Sequence, residues 1–264
     1  MTTRDQLIQA VIADPDSDGP REAFAQWGVA HGDLQGELAR IQLAETRERR
    51  MGLTVEAHRR SIEAYDLLEK HEKTWARDVL AIASQVRFYR GFVEAISIDV
   101  PKFLSKAGEL YRIAPIRAVQ FLNAGPHIDE LVVSNYLDRL VSVEFYNESS
   151  TAPLGDLGLR KLVASPHLGK VAILSVPLND IGLDGAEALA ASKQLPRLRY
   201  VVLGNNPVED PTEQCGFDAF TFEVNYDSIS LPPLGRALET KYGELPWLHA
   251  ASLFRMFPPD LHDV

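Results

Sequence analysis

This 264-residue chain has a single cysteine, Cys215, so no disulfide can form within it and a reducing compartment fits. It lacks any apolar run near the roughly 20 residues a membrane-spanning helix needs. Its first residues, Met1-Thr2-Thr3-Arg4-Asp5-Gln6, lack the apolar core of a secretory leader. It also lacks an excess of positive charge: 27 Lys and Arg stand against 37 Asp and Glu, a formal net charge of −10. Phosphate binding calls for a basic face, so nucleic acid is not an expected partner. These absences predict a soluble, cytoplasmic, monomeric protein with neither membrane nor nucleic acid as partner.

Concentrated chemistry is missing too. His127-x-Asp129-Glu130 offers too few converging ligands for a metal and reads as a solvated turn. His31-Gly32-Asp33 reads as a turn followed by a helix cap. Cys215 has no basic neighbour in sequence to lower its thiol pKa. Asp14, Asp16 and Asp18 alternate like part of a calcium loop, but Pro15 interrupts them and no glutamate closes the loop. Gly155-x-x-Gly158 and Gly182-x-x-Gly185 lack the Lys-Ser/Thr of a phosphate loop. The sequence therefore predicts no catalytic residue, no metal and no cofactor. The enzymatic alternative is a hydrolase centred on His249, Asp260, His262 and Asp263.

What is present is a repeat. Leu168, Val171, Leu174, Val176, Asn179 and Ile181 recur 27 residues later as Leu195, Leu198, Val201, Leu203, Asn206 and Val208. Gly158, Leu162 and Ala164-Ser165 recur as Gly185, Leu189 and Ala191-Ser192. A fixed period of this size marks a leucine-rich repeat, one short strand and one helix per coil. Within each strand two inward apolar residues flank an outward one, as pleating requires. The asparagine closing each ruler is placed to serve backbone groups left unpaired where the strand bends away. Weaker rulers run through Val93, Ile96 and Ile98; Ile113, Ile116, Val119 and Phe121; and Leu137, Leu140, Val143 and Phe145. The step from 143 to 174 is longer than the repeat and implies an insertion of about four residues near Asn147–Pro153.

Before the repeats, Thr3 is placed to cap a helix bearing Leu7, Ile8, Val11 and Ile12. Asp14 to Pro20 stops it. A second helix carries Phe24, Trp27 and Val29; Asp33 caps a third with Leu34, Leu38, Ile41 and Leu43. Residues 54–83 read as helical, with Leu67, Leu68, Trp75, Val79, Leu80 and Ile82 buried. Val86–Val93 reads as a strand sealing the first coil. After Asp210 the ruler is lost, Phe220, Phe222 and Val224 alternate like a strand, and Leu234–Tyr242 reads as helix. The divisions expected are 1–85, a helical cap; 86–210, the repeats; and 211–264, a mixed C-terminal cap.

Three segments together resemble bacterial leucine-rich-repeat proteins with an N-terminal repeat-companion domain. They are Ala13-Asp14-Pro15-Asp16-Ser17-Asp18 with Phe24-Ala25-Gln26-Trp27 and His31-Gly32-Asp33 running to Gln42; Arg87-Phe88-Tyr89-Arg90-Gly91-Phe92-Val93-Glu94; and the paired repeat. The group usually has Asp-Trp where this chain has Gln26-Trp27. Repeat length and helix placement resemble the ribonuclease-inhibitor-like class. The resemblance implies an α/β solenoid with parallel strands on the concave face and helices outside. It implies an interaction role and transfers no catalytic residue.

The predicted binding face is the outward row of the concave sheet. Its candidate residues are Leu122, Glu144, Tyr146, Ile173, Ser175, Tyr200 and Val202. A contiguous apolar patch there marks a protein partner. The acidic balance is compatible with a basic one and with an inhibitor or immunity-type role. The competing expectation is that the aromatic C-terminal part folds over this face.

Overall fold

The computed structural model describes residues 3–147, 152–208, 211, 217–218, 223–224, 231–249 and 261. Two compact units divide the chain: Met1–Ile98 with Ser105–Val119 and Asp260–Val264, and Asp99–Leu104 with Gln120–Pro259. The elements, in order, begin with α1 (Arg4–Ala13), α2 (Gly19–His31), α3 (Leu34–Arg50), α4 (Thr54–Trp75) and α5 (Arg77–Leu80). Then come β1 (Gln85–Tyr89), β2 (Phe92–Asp99), α6 (Val100–Ile113), β3 (Ala118–Leu122), α7 (Ile128–Val132), β4 (Ser142–Tyr146) and α8 (Gly155–Val163). The order ends with β5 (Ile173–Ser175), α9 (Leu183–Ala191), β6 (Tyr200–Val202), β7 (Phe217–Asp218), β8 (Glu223–Val224) and α10 (Pro233–Tyr242). The chain is α/β, with a six-stranded, mostly parallel sheet ordered β1-β2-β3-β4-β5-β6. No helix among the described residues is long and apolar enough to cross a membrane.

The first unit starts where Thr3 and Gln6 form a reciprocal capping box. Asp33 Oδ1 accepts from the backbone N–H groups of Gln35 and Gly36 and opens α3. α2 and α3 meet at Gly28 and Gly36, where a Cβ on either would lie 2.5 Å from the other's Cα. Phe24, Leu38, Ile41 and Leu43 are buried as expected, whereas Val29 and Leu34 are exposed. Those two sit at the corner that Gly32 turns with φ 69°. α4 packs along α3 and buries its alanines Ala57 and Ala64, while Leu67, Leu68, Trp75 and Leu80 are only half-buried.

The segment 86–93 is a hairpin rather than one strand. Arg90 (φ 49°) and Gly91 (φ 90°) turn the chain back, and β1 runs antiparallel to β2. Two glutamines fasten this turn to α3. Gln42 Nε2 donates to Phe88 O at 3.1 Å and its Oε1 accepts from Gly91 N at 2.8 Å, while Gln35 Nε2 donates to Gly91 O at 3.0 Å. A Cβ on Gly91 would run into Ala39, and its positive φ disfavours any side chain. Gly91→Ala is therefore expected to lower stability by about 2–3 kcal/mol, read as a shifted urea midpoint with an unchanged slope.

Around the same turn lies a buried ionic cluster. Glu94, on β2 and fully buried, accepts from Arg21 Nε (3.1 Å), from Arg90 Nε and Nη2 (3.1 and 2.7 Å) and from Arg117 Nη1 (3.4 Å). The turn 14–18 supplies the remaining acceptors. Asp18 Oδ1 takes Arg90 Nη1 at 2.7 Å, Asp16 Oδ1 takes Arg117 Nε at 3.0 Å, and the carbonyls of Pro15 and Ser17 take Arg90 and Arg21. Three cations thus face three carboxylates. The match is imperfect at Arg21: Nη2 lies 2.8 Å from Glu94 Oε1 but out of line for a hydrogen bond. Burial pushes the Arg21 guanidinium down to about 10 against the pull of Glu94. For Arg90 burial also acts downward, but Glu94 and Asp18 outweigh it and raise the value.

In the second unit β4, β5 and β6 are parallel, with Val143, Leu174 and Val201 in one row. The 27-residue repeat is therefore a structural register. The inward residues Phe121, Val143, Phe145, Leu174, Val176, Val201 and Leu203 are all buried. Phe103 packs edge-on against Phe121, which lies beside Phe145 at 5.6 Å between ring centroids. Ile113, placed on a ruler by its spacing, is exposed at the end of α6.

Paired polar groups tie each repeat to the one before. Asn179 Nδ2 donates to Phe145 O (2.8 Å) and Pro177 O (2.7 Å), and its Oδ1 accepts from Leu154 N (3.2 Å). Twenty-seven residues on, Asn206 Nδ2 donates to Val176 O and Leu203 O, and its Oδ1 accepts from the backbone N–H of Asn179 and Ile181. Ser165 donates to Val132 O and Ser192 to Val163 O, each at 2.5 Å. Asp156 Oδ1 accepts from the backbone of Gly182 and Gly185, so a carboxylate from the preceding helix fills the N-terminus of α9. A Cβ at Gly182 or Gly185 would strike Asp156.

Candidate functional site

The outward row of β4, β5 and β6 is only partly open. Tyr146 is 38% exposed at the end of β4; Glu144 beside it, Tyr200 and Val202 on β6, and Leu122 on β3 are half-buried. Ile173 and Ser175, expected to stand free, are instead buried at 2% and 7%. The register gives the reason. β5 lies between β4 and β6, with Ile173 flanked by Ser142 and Tyr200 and Ser175 by Glu144 and Val202. Larger side chains on both neighbours shade the serine. The open residues are therefore Leu122, Glu144, Tyr146, Tyr200 and Val202.

The C-terminal part reaches the sheet in each unit. In the second, the turn Pro246–Leu248 packs against β6, with Trp247 and Leu248 buried. In the first, Leu261 joins a buried cluster with Tyr89, Ala95 and Ala118. Ala95 and Ala118 hold the outward positions of their strands, so that part of the row is covered by the chain itself. Sequence spacing located the row without revealing its cover.

Other candidate chemistry is dispersed. His127, half-buried, lies 4.0 Å from the exposed Glu130, and Asp129 pairs with Lys161 at 2.6 Å. Among the described residues no three His, Cys, Asp or Glu side chains converge as metal ligands. His249 contacts Glu239 Oε1 at 2.5 Å, while Asp260, His262, Asp263 and Cys215 lie outside the described residues, as do Phe220 and Phe222. A groove of about 460 Å³ runs between α2 and α3, lined by residues including Val29, Leu43, Arg40 and Arg47. Both arginines are engaged, Arg40 by Glu37 and Arg47 by Glu22, so neither is free to hold an anion. The acidic turn 14–18, read from sequence as a helix breaker, has a further duty that sequence did not reveal: it neutralises buried arginines.

No family model, no curated protein and no solved structure matches this chain.

Proposed function

We propose that this chain is a short leucine-rich-repeat solenoid, capped at both ends, that binds a protein partner through the outward row of its sheet and performs no catalysis. The observation that carries this is a tyrosine 38% exposed on a parallel sheet, Tyr146, beside the half-buried Glu144. Tyr200 and Val202, two strands along the same sheet, extend the row. Amphipathic aromatics on a rigid scaffold give large contact area for little conformational entropy, which suits a binding anchor. The 27-residue register and the repeated asparagine and serine bonds support the solenoid reading. The net charge of −10 favours a basic partner, and an inhibitor or immunity-type role is the narrower form of the proposal.

The test is co-purification from the native cell at low and high salt, wild type against a Tyr146→Ala/Tyr200→Ala double variant. The expected result is loss of at least one partner in the variant, by about 2 kcal/mol or more of binding free energy. Retention of every partner would sink the proposal.

The burial of Trp247 and Leu261 favours a second reading, in which the C-terminal segment occupies the row from within the chain. A truncation ending near Asp210 separates the two. Under the second reading it captures partners that the full chain does not; under the first it captures the same ones.

A further inference from the structure

The outer stripe of α4 is not used by any contact described above. Val55, Ile62 and Tyr65 are 60%, 52% and 64% exposed, Val55 and Ile62 on the side of the helix opposite Ala57 and Ala64 and Tyr65 on the adjoining flank. His58 and Arg59 are exposed one turn before Ile62, and Asp66 and Glu69 are exposed at and beyond Tyr65. None of these four charged or titratable side chains has an ion-pair partner among the described residues. The same helix does pair Arg60, to Glu48 and Glu63, on its inner flank.

Between Val55 at one end and the exposed Lys73 at the other, the order along the stripe is basic, apolar, acidic. Such a stripe is complementary to its own copy turned end over end. In an antiparallel pair related by a two-fold axis near residues 63–64, Ile62 of one chain meets Tyr65 of the other. His58 and Arg59 then meet Asp66 and Glu69, and each contact occurs twice. A parallel pairing would instead set like charges against each other. We propose that two copies of this chain associate through the outer stripe of α4, antiparallel, with Ile62 and Tyr65 at the centre and Arg59–Asp66/Glu69 contacts on either side. This departs from the monomer expected from sequence. One helix stripe buries less than about 1,200 Å², so the association is weak and concentration-dependent.

Sedimentation equilibrium or light scattering on the full chain, from low to high micromolar concentration, tests this. The average mass should climb from 29.3 kDa toward twice that value. Ile62→Asp should abolish the rise, and Arg59→Glu should weaken it by about tenfold. Mixing Arg59→Glu chains with Asp66→Arg/Glu69→Arg chains should restore a mixed dimer. All the substituted positions are exposed, so far-UV dichroism and melting should match wild type, which separates loss of association from loss of fold. A mass fixed at 29.3 kDa throughout, or a rise untouched by Ile62→Asp, overturns the proposal.

Discussion

Glu94→Ala is expected to cost about 3–5 kcal/mol, because it strands Arg21, Arg90 and Arg117 in a buried site with no central anion. Total stabilities run to about 5–15 kcal/mol, so the variant should be largely unfolded at physiological temperature. Arg21→Met should cost much less. Arg21 is fully buried, its ordinary charge is disfavoured there, and one of its nitrogens is poorly matched, so an apolar replacement relieves a penalty while Glu94 keeps two arginines. Chemical unfolding of the pair decides this; equal losses would refute the view that Glu94 is the hub. The cluster also sets an acid limb. Burial alone would raise the Asp18 carboxyl, but the hydrogen bond and charge of Arg90, with Arg50 and Arg21 behind it, hold it below its ordinary value. A carboxyl so lowered contributes stability above its unfolded pKa, about 3.9, and loses it as pH falls through the folded value. Asp18→Asn should therefore flatten the decline in urea midpoint below about pH 4.

The second large effect is expected at Asn179, which is 2% exposed. Asn179→Ala leaves the carbonyls of Phe145 and Pro177 and the N–H of Leu154 without the amide they share, at about 3–4 kcal/mol in all. The flanking residues add to this. Leu178 (φ 55°) and Asp180 (φ 57°) both sit in the left-handed region, which costs a non-glycine residue about 1 kcal/mol each. The amide between them holds that bend. Asn179→Asp should not rescue, since a carboxylate can accept from Leu154 but cannot donate to two carbonyls. Rescue by aspartate would show that the donors are dispensable. Asn206→Ala, at a half-buried position, should cost less.

What the sequence made legible was local or periodic. Thr3 and Asp33 announced helix starts because caps act over three residues. Leu174 and Val201 announced strands because a 27-residue period survives in a plain string, and the asparagine at the end of each ruler does what its chemistry suggests. The recurrence of Ala-Ser was visible, but its reason was not: Ser165 serves Val132 and Ser192 serves Val163, each in the neighbouring repeat. The ionic cluster was hidden for the same reason. Asp16 and Arg117 are 101 residues apart, and nothing near either announces the other. At the candidate face, alternation located the row, but the shading of Ser175 depends on which side chains, Glu144 and Val202, the register sets on either side of it.

The matched register between β5 and β6 restricts how such a chain can change length. Leu174 lies opposite Val201, 27 residues on, and opposite Val143, 31 residues back. The four extra residues leave both pairings intact, so the excess is absorbed between the end of β4 and the start of α8. A deletion between Val176 and Ser192 would move Asn206 off Val176 and Ser192 off Val163 together, because it shortens both spans, of 30 and 29 residues, at once. Evolution of this fold is thereby steered toward gain or loss of whole modules.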